Sequence, residues 1–149
     1  MVDSNEKLKS GIEQWKTCVD MANKNSEKRN SANALFVTIN SGLIAAISVV
    51  GNTRTFMLAF VGIFICWEWK KLLRSYAGLN CVKYEIINKI EEDLPYKPFS
   101  DEWAMLQERG YVGLCSVEGM IPWVFIALYS YRIVSELHAF MISKFICGA

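Results

Sequence analysis

The chain has 149 residues, of which 52% are hydrophobic, and its 16 basic and 15 acidic residues give a net charge of +1. This length suits one domain, and the mixed charges exclude the strongly basic surface on which nucleic-acid binding depends. The apolar residues are grouped into long uncharged runs, which is typical of an all-α integral membrane protein. Two buried helices at the centre of a soluble bundle are the alternative.

Residues 1–31 are charged or polar at most positions, yet apolar residues recur among them with spacings of four and three. This heptad pattern predicts a helix with an apolar seam along one side, at Leu8, Ile12, Trp15 and Val19. No proline or glycine lies between Ala22 and Ala32. We therefore expect a stalk helix that continues without a break into the next segment.

Two apolar segments follow, residues 32–50 and residues 56–72, joined by a polar turn at residues 51–55. The first has nineteen uncharged residues, which at about 1.5 Å per residue nearly match a hydrocarbon core of about 30 Å. The second reaches spanning length if the lysines at its end extend toward the headgroups. We expect the two to form a transmembrane helical hairpin.

Residues 73–94 show the same spacing of apolar residues by four and three. Leu79, Ile86 and Ile90 form a second seam, which we expect to pack against the first. The two stalk ends of the hairpin carry six basic residues, Lys24, Lys28, Arg29, Lys70, Lys71 and Arg74. The turn carries one, Arg54. The positive-inside rule therefore places the N-terminus and both stalk helices in the cytoplasm.

Pro95 and Pro98 predict the end of the second helix, so we assign residues 95–112 to a turn and a short amphipathic helix. Residues 113–137 are apolar again and predict a third membrane helix, with a helix lying in the interface as the alternative. Residues 138–149 mix apolar and charged positions and predict an amphipathic tail.

No catalytic, cofactor-binding or metal-binding pattern is recognisable in the sequence. The chain has one histidine, His138, and five scattered cysteines without zinc-ligand spacing. It also lacks a glycine-rich phosphate loop that opens a helix. We therefore expect no enzymatic activity and no cofactor.

Small and polar residues interrupt the first span at intervals of one or two heptads, and we interpret them as one face of the helix. They are Asn33, Asn40, Ser41, Gly42 and Ser48. Such a face permits close packing of helices in an oligomer, and it equally suits the lining of a pore.

Two acidic residues, Glu68 and Glu118, are predicted to lie near the cytoplasmic interface, where a charge costs less than at the centre of the bilayer. Glu68 has Lys71 three residues later as a local partner. Glu118 lacks a basic residue within one turn, so we expect a partner on a neighbouring helix or subunit. Lys70, Lys71 and Arg74 are the candidates.

Four stretches in order resemble the RipA family of octameric bacterial membrane proteins. They are residues 29–46 (RNSANALFVTINSGLIAA), 75–84 (SYAGLNCVKY), 90–95 (IEEDLP) with Glu102 and Trp103, and 117–122 (VEGMIP). The chain is also similar in appearance to the SLATT group of two-span proteins, for which pore formation has been suggested.

The resemblance implies a protein of the bacterial cytoplasmic membrane that assembles as an octamer, in a family linked to growth inside host cells. Its implied partners are copies of itself, membrane lipid and an envelope protein of unspecified identity. It brings no catalytic residue and no cofactor. Two functions are compatible with these features: a scaffold that organises other envelope components, and a pore.

Overall fold

The computed structural model describes residues 4–49, 53–111 and 117–147, and the described chain is helical with no strand. Its helices are α1 (Ser4–Val49), α2 (Thr53–Glu92), α3 (Pro98–Glu108) and α4 (Ile121–Cys147). The predicted all-α class is therefore confirmed. The turn at residues 51–55 lies partly outside the described residues.

The helix α1 continues through 46 residues, from the charged N-terminal segment into the first apolar run. Among the described helices, α1 is the one that is long and apolar enough to cross a membrane. Only 11% of its most apolar window is buried within the protein. The central helix of a soluble bundle would be mostly buried, so this exposure favours the membrane interpretation.

The residues are grouped into two compact units, and each of the two long helices contributes to both. Unit 1 comprises Met1–Ser31 and Arg74–Ser116. Unit 2 comprises Ala32–Leu73 and Val117–Ala149.

In unit 1, the buried contact between α1 and α2 is made by small and polar residues more than by large apolar ones. The buried side chains are those of Ala22, Asn25, Arg29, Ile87 and Glu91. Asn25 donates a hydrogen bond to the Asn80 side chain at 2.5 Å, and Asn80 donates one to Ser26 at 3.1 Å. An amide pair thus occupies a position where a coiled coil would place an apolar side chain.

This arrangement corrects the predicted stalk seam. Leu8, Ile12, Leu79 and Ile86 are exposed, whereas Trp15, Val19 and Ile90 are partly buried. On α2, Asn80 contacts α1 through Asn25 and Ser26, and Ile87, seven residues later, is fully buried, so the buried register lies one residue after the predicted one. A search for apolar heptads overlooks this register, since one of its members is an asparagine.

In unit 2, α1, α2 and α4 pack around a core of Ile47, Ala59, Cys66 and Tyr129. Two of these side chains, Ala59 and Cys66, are small, which lets the helices approach closely there. Partly buried apolar residues surround the core: Leu43, Ile44, Leu58, Ile63, Phe125, Ile126 and Ile133.

The short helix α3 begins at Pro98, where the missing backbone N–H carries no penalty. It is followed by Gly110 with φ of 67°, a left-handed conformation that glycine adopts without strain. The helix α2 ends at Glu92, before Pro95, as the proline predicts.

Candidate functional site: buried polar contacts between the helices

The side chain of Asn40 is fully buried and links the three helices of unit 2. Its Oδ1 accepts a hydrogen bond from the Tyr129 hydroxyl at 3.0 Å and one from the Cys66 thiol at 3.2 Å. Its Nδ2 donates to the carbonyl oxygen of Phe36 at 2.8 Å. Both ends of the amide are therefore paired, which removes the cost of burying it.

The ring of Tyr129 lies directly against Gly62 of α2. A Cβ atom at position 62 would stand 2.3 Å from Cζ of Tyr129 and 2.6 Å from Cε1. Real Cβ contacts are not this short, so the observed approach of α4 to α2 requires glycine here.

A second, partly buried polar group of unit 2 is centred on Asn33, seven residues before Asn40. Trp69 donates its indole N–H to Asn33 Oδ1 at 2.8 Å, and Asn33 Nδ2 donates to Glu118 Oε2 at 3.2 Å. The fully buried Trp69 ring also stacks on Phe36, with ring centroids 5.4 Å apart and an interplanar angle of 4°. Asn33 thus connects α2 to the segment that precedes α4.

The five small and polar residues of the first span occupy two faces of α1, which corrects the single face inferred from the sequence. Asn33 and Asn40 contact α2 and residues of the α4 region, whereas Ser41, Gly42 and Ser48 are exposed. The physical reason is that adjacent residues differ by about 100° around a helix, so positions 40 and 41 cannot share one narrow stripe.

The predicted interfacial charges have defined partners. Lys71 pairs with Glu68 at 2.7 Å, as the spacing of three residues predicts. One partner of Glu118 is Asn33, as described above, and the expected pairing of Glu118 with a basic residue stays a prediction. Lys70 places its ammonium 3.6 Å from the ring centroid of Trp123, a cation–π contact, and Arg74 is exposed.

In unit 1 the fully buried carboxylate of Glu91 holds α3 in place. It accepts hydrogen bonds from the backbone N–H groups of Phe99 and Ser100 at 3.1 Å each, and from the Ser100 hydroxyl at 3.0 Å. The indole N–H of Trp15 donates a fourth, also at 3.1 Å. The carboxylate therefore acts as an N-terminal cap from another helix, where negative charge is favourable.

Six residues of these contacts belong to none of the predicted sites: Cys66, Tyr129, Gly62, Trp69, Asn80 and Glu91. One usable signal is the spacing of Gly62 and Cys66, two small residues four apart on α2 that mark a close helix contact. Another is the presence of two asparagines in an uncharged run, because each needs a buried partner.

The chemistry of these contacts is structural. Within the described residues no group of three or more His, Cys, Asp or Glu side chains could hold a metal ion. The Asn40 and Glu91 groups are instead arranged as hydrogen-bond junctions between helices, which fix the helix register.

Comparison with protein-family models matches residues 12–138, nearly the whole chain, to the octameric membrane protein family (8xMP). The chain belongs to this family. Its predicted relation to octameric membrane proteins is therefore confirmed, and no enzymatic activity is part of the 8xMP description. No curated protein and no solved structure matches the chain significantly.

Replacing Gly62 by alanine should destabilise the protein, because the added methyl group would overlap the Tyr129 ring. We expect a cost of about 1–3 kcal/mol, the usual penalty for overpacking, measured as a lower thermal unfolding midpoint in detergent. Gly78→Ala on the same helix is the control, since a Cβ there meets no atom within 4 Å. The double variant Gly62→Ala/Tyr129→Leu should recover part of the loss; strictly additive effects would contradict the contact.

Replacing Glu91 by glutamine should release α3, because an amide offers one acceptor oxygen where the carboxylate receives four donors. We expect a loss of about 1.5–3 kcal/mol of local stability, typical of hydrogen bonds to a charged group. Hydrogen exchange of the backbone amides of residues 98–108 measures it directly. Glu92→Gln, at the exposed neighbouring position, should leave exchange unchanged; equal acceleration in both variants would refute the capping role.

Proposed function

We propose that the protein is a scaffold subunit of the bacterial cytoplasmic membrane, which assembles with copies of itself and organises other envelope components through a cytoplasmic stalk. Membership of an octameric membrane protein family supports the assembly. In this proposal the contribution to growth inside host cells, implied by the RipA resemblance, is the organisation of the envelope rather than transport.

The observation that carries this proposal is that polar side chains of α1 form hydrogen bonds within the protomer. Asn33 and Asn40, the two strongest candidates for lining a pore, are paired within the protomer. On the exposed side, the hydroxyls of Thr38 and Ser48 donate to carbonyl oxygens one turn earlier on α1, at 2.9 and 3.0 Å. A face with internally bonded hydroxyls is suited to close packing more than to the transfer of ions through water.

Three membrane spans fit this function. Unit 2 corresponds to the proposed membrane part, and its limits at residues 31/32 and 73/74 lie close to the predicted boundaries of the two spans. The third span, proposed at residues 113–137, is supported by the hydrogen bond from Tyr129 to Asn40. Asn40 lies in the middle of the first span, at a depth that a helix lying in the interface would not reach.

The proposed cytoplasmic end of the membrane part carries the contacts expected at a headgroup layer. Lys70 lies over the ring of Trp123, and the neighbouring Lys71 pairs with Glu68. Aromatic and basic side chains are enriched at this depth. Unit 1 would then be the stalk in the cytoplasm.

If the exposed face of α1 joins neighbouring subunits, replacing Gly42 by leucine should reduce the octamer to smaller species. The protomer should keep its fold, because position 42 is exposed and a Cβ atom there meets no atom within 4 Å. Native mass spectrometry in detergent gives the subunit number. Ala127→Leu, an enlargement at an exposed position of α4, is the control, and an intact Gly42→Leu octamer would move the subunit contact away from this face.

A scaffold should not conduct ions. Liposomes that contain the purified octamer should therefore show the same ion and dye leakage as protein-free liposomes, with a known channel as positive control. Leakage that rises with the amount of octamer would overturn the scaffold proposal and favour the alternative function as a pore.

A further inference from the structure

The helix α2 carries an exposed apolar strip in unit 1, formed by Leu79, Val82 and Ile86. These side chains are 51%, 55% and 44% exposed. Their spacings of three and four place them on one face of the helix. In a part of the chain that is otherwise rich in charged residues, such a strip marks a surface that another molecule covers.

The strip and α3 lie on different faces of α2. Tyr84 contacts Phe99 of α3 edge-on, with ring centroids 5.8 Å apart. Val82 and Ile86 each lie two residues from Tyr84, which places them about 160° around the helix from it. The protomer therefore presents α3 on one side of α2 and the apolar strip on the other.

The exposed surface of α3 and the apolar strip of α2 are complementary in charge, and both expose apolar side chains. The helix α3 contains three acidic residues, Asp101, Glu102 and Glu108, and no basic residue. It also exposes Trp103 and Met105, each at 54%. Two exposed basic residues of α2, Arg74 and Lys89, lie before and after the strip, with Glu85 as the exposed acidic residue between them. Lys83 instead donates to the Met21 carbonyl oxygen of α1 at 3.0 Å.

We propose that the apolar strip of one protomer binds α3 of a second copy of this chain. Met105 would cover the strip, and Asp101 and Glu108, which share its side of α3, would lie near the basic residues that flank the strip. This inference rests on the proposed assembly function and specifies its cytoplasmic contact.

The placement of the two surfaces explains why the contact closes a ring. A contact between different faces of identical subunits is head-to-tail, and repeated by rotation it gives a cyclic assembly. A strip that bound a second strip would give only pairs. A contact that joins only two copies does not by itself produce an octamer, so the head-to-tail contact fits the octameric family better.

The test places the photo-reactive amino acid p-benzoylphenylalanine at position 82 of the full chain, in the detergent-solubilised oligomer. Illumination should give a covalent dimer on denaturing gels, with the cross-link in the tryptic peptide of residues 90–109 and within residues 98–108. The same amino acid at exposed Asp20 is the control and should give at least fivefold less of this product. Cross-links to residues 79–86 of the other chain, to another protein or to lipid would overturn the proposal.

A matched pair of variants tests the charge complementarity. Val82→Glu and Val82→Lys each place one charge in the strip, but only the former repels the acidic α3. We expect the octamer fraction to fall at least threefold further in Val82→Glu than in Val82→Lys, and equal losses would contradict the proposed partner. If the wild-type protein has no octamer at all, the proposed function fails; if it is an octamer without the cross-link from position 82 to α3, only this inference fails.

Discussion

The buried amide of Asn40 is the interaction on which the packing of unit 2 depends. An asparagine in an apolar interior must pair both its carbonyl oxygen and its amino group, because no water is available to replace a missing partner. Here the partners come from all three helices: Phe36 of α1, Cys66 of α2 and Tyr129 of α4. A shift of one helix along another would leave the amide unpaired, so the hydrogen bonds select one register among several that apolar contacts alone would allow.

Close packing around a paired amide also explains why small and polar residues are buried between the helices of unit 2, whereas many large apolar residues are exposed on its surface. Ala59, Gly62 and Cys66 line the buried side of α2, whereas Phe60 and Phe64 are exposed on its other sides. In water this distribution would be unfavourable, since large apolar side chains gain most from burial. Lipid or neighbouring subunits remove that penalty, and close approach through small residues then becomes the main source of helix association.

The lengths of the helices follow directly from the sequence, but the contacts between them do not. The absence of proline before Pro95 predicts the long helix α2, and the lack of a breaker between Ala22 and Ala32 predicts the continuity of α1. Pairing between Asn40 and Tyr129 joins residues 89 positions apart, and no local pattern relates them. Likewise, Asn25 and Asn80 pair α1 with α2 in unit 1, and a rule that counts only apolar positions does not find this hydrogen bond.

The carboxylate of Glu91 also makes the position of α3 depend on how α1 and α2 are aligned. It receives one donor from α1, through Trp15, and three from the start of α3. A one-residue slip of α2 would rotate the carboxylate by about 100° and move it about 1.5 Å along the axis, away from these donors. The first turn of α3 would then lose its cap, so the alignment of the two long helices sets the position of this short helix in unit 1.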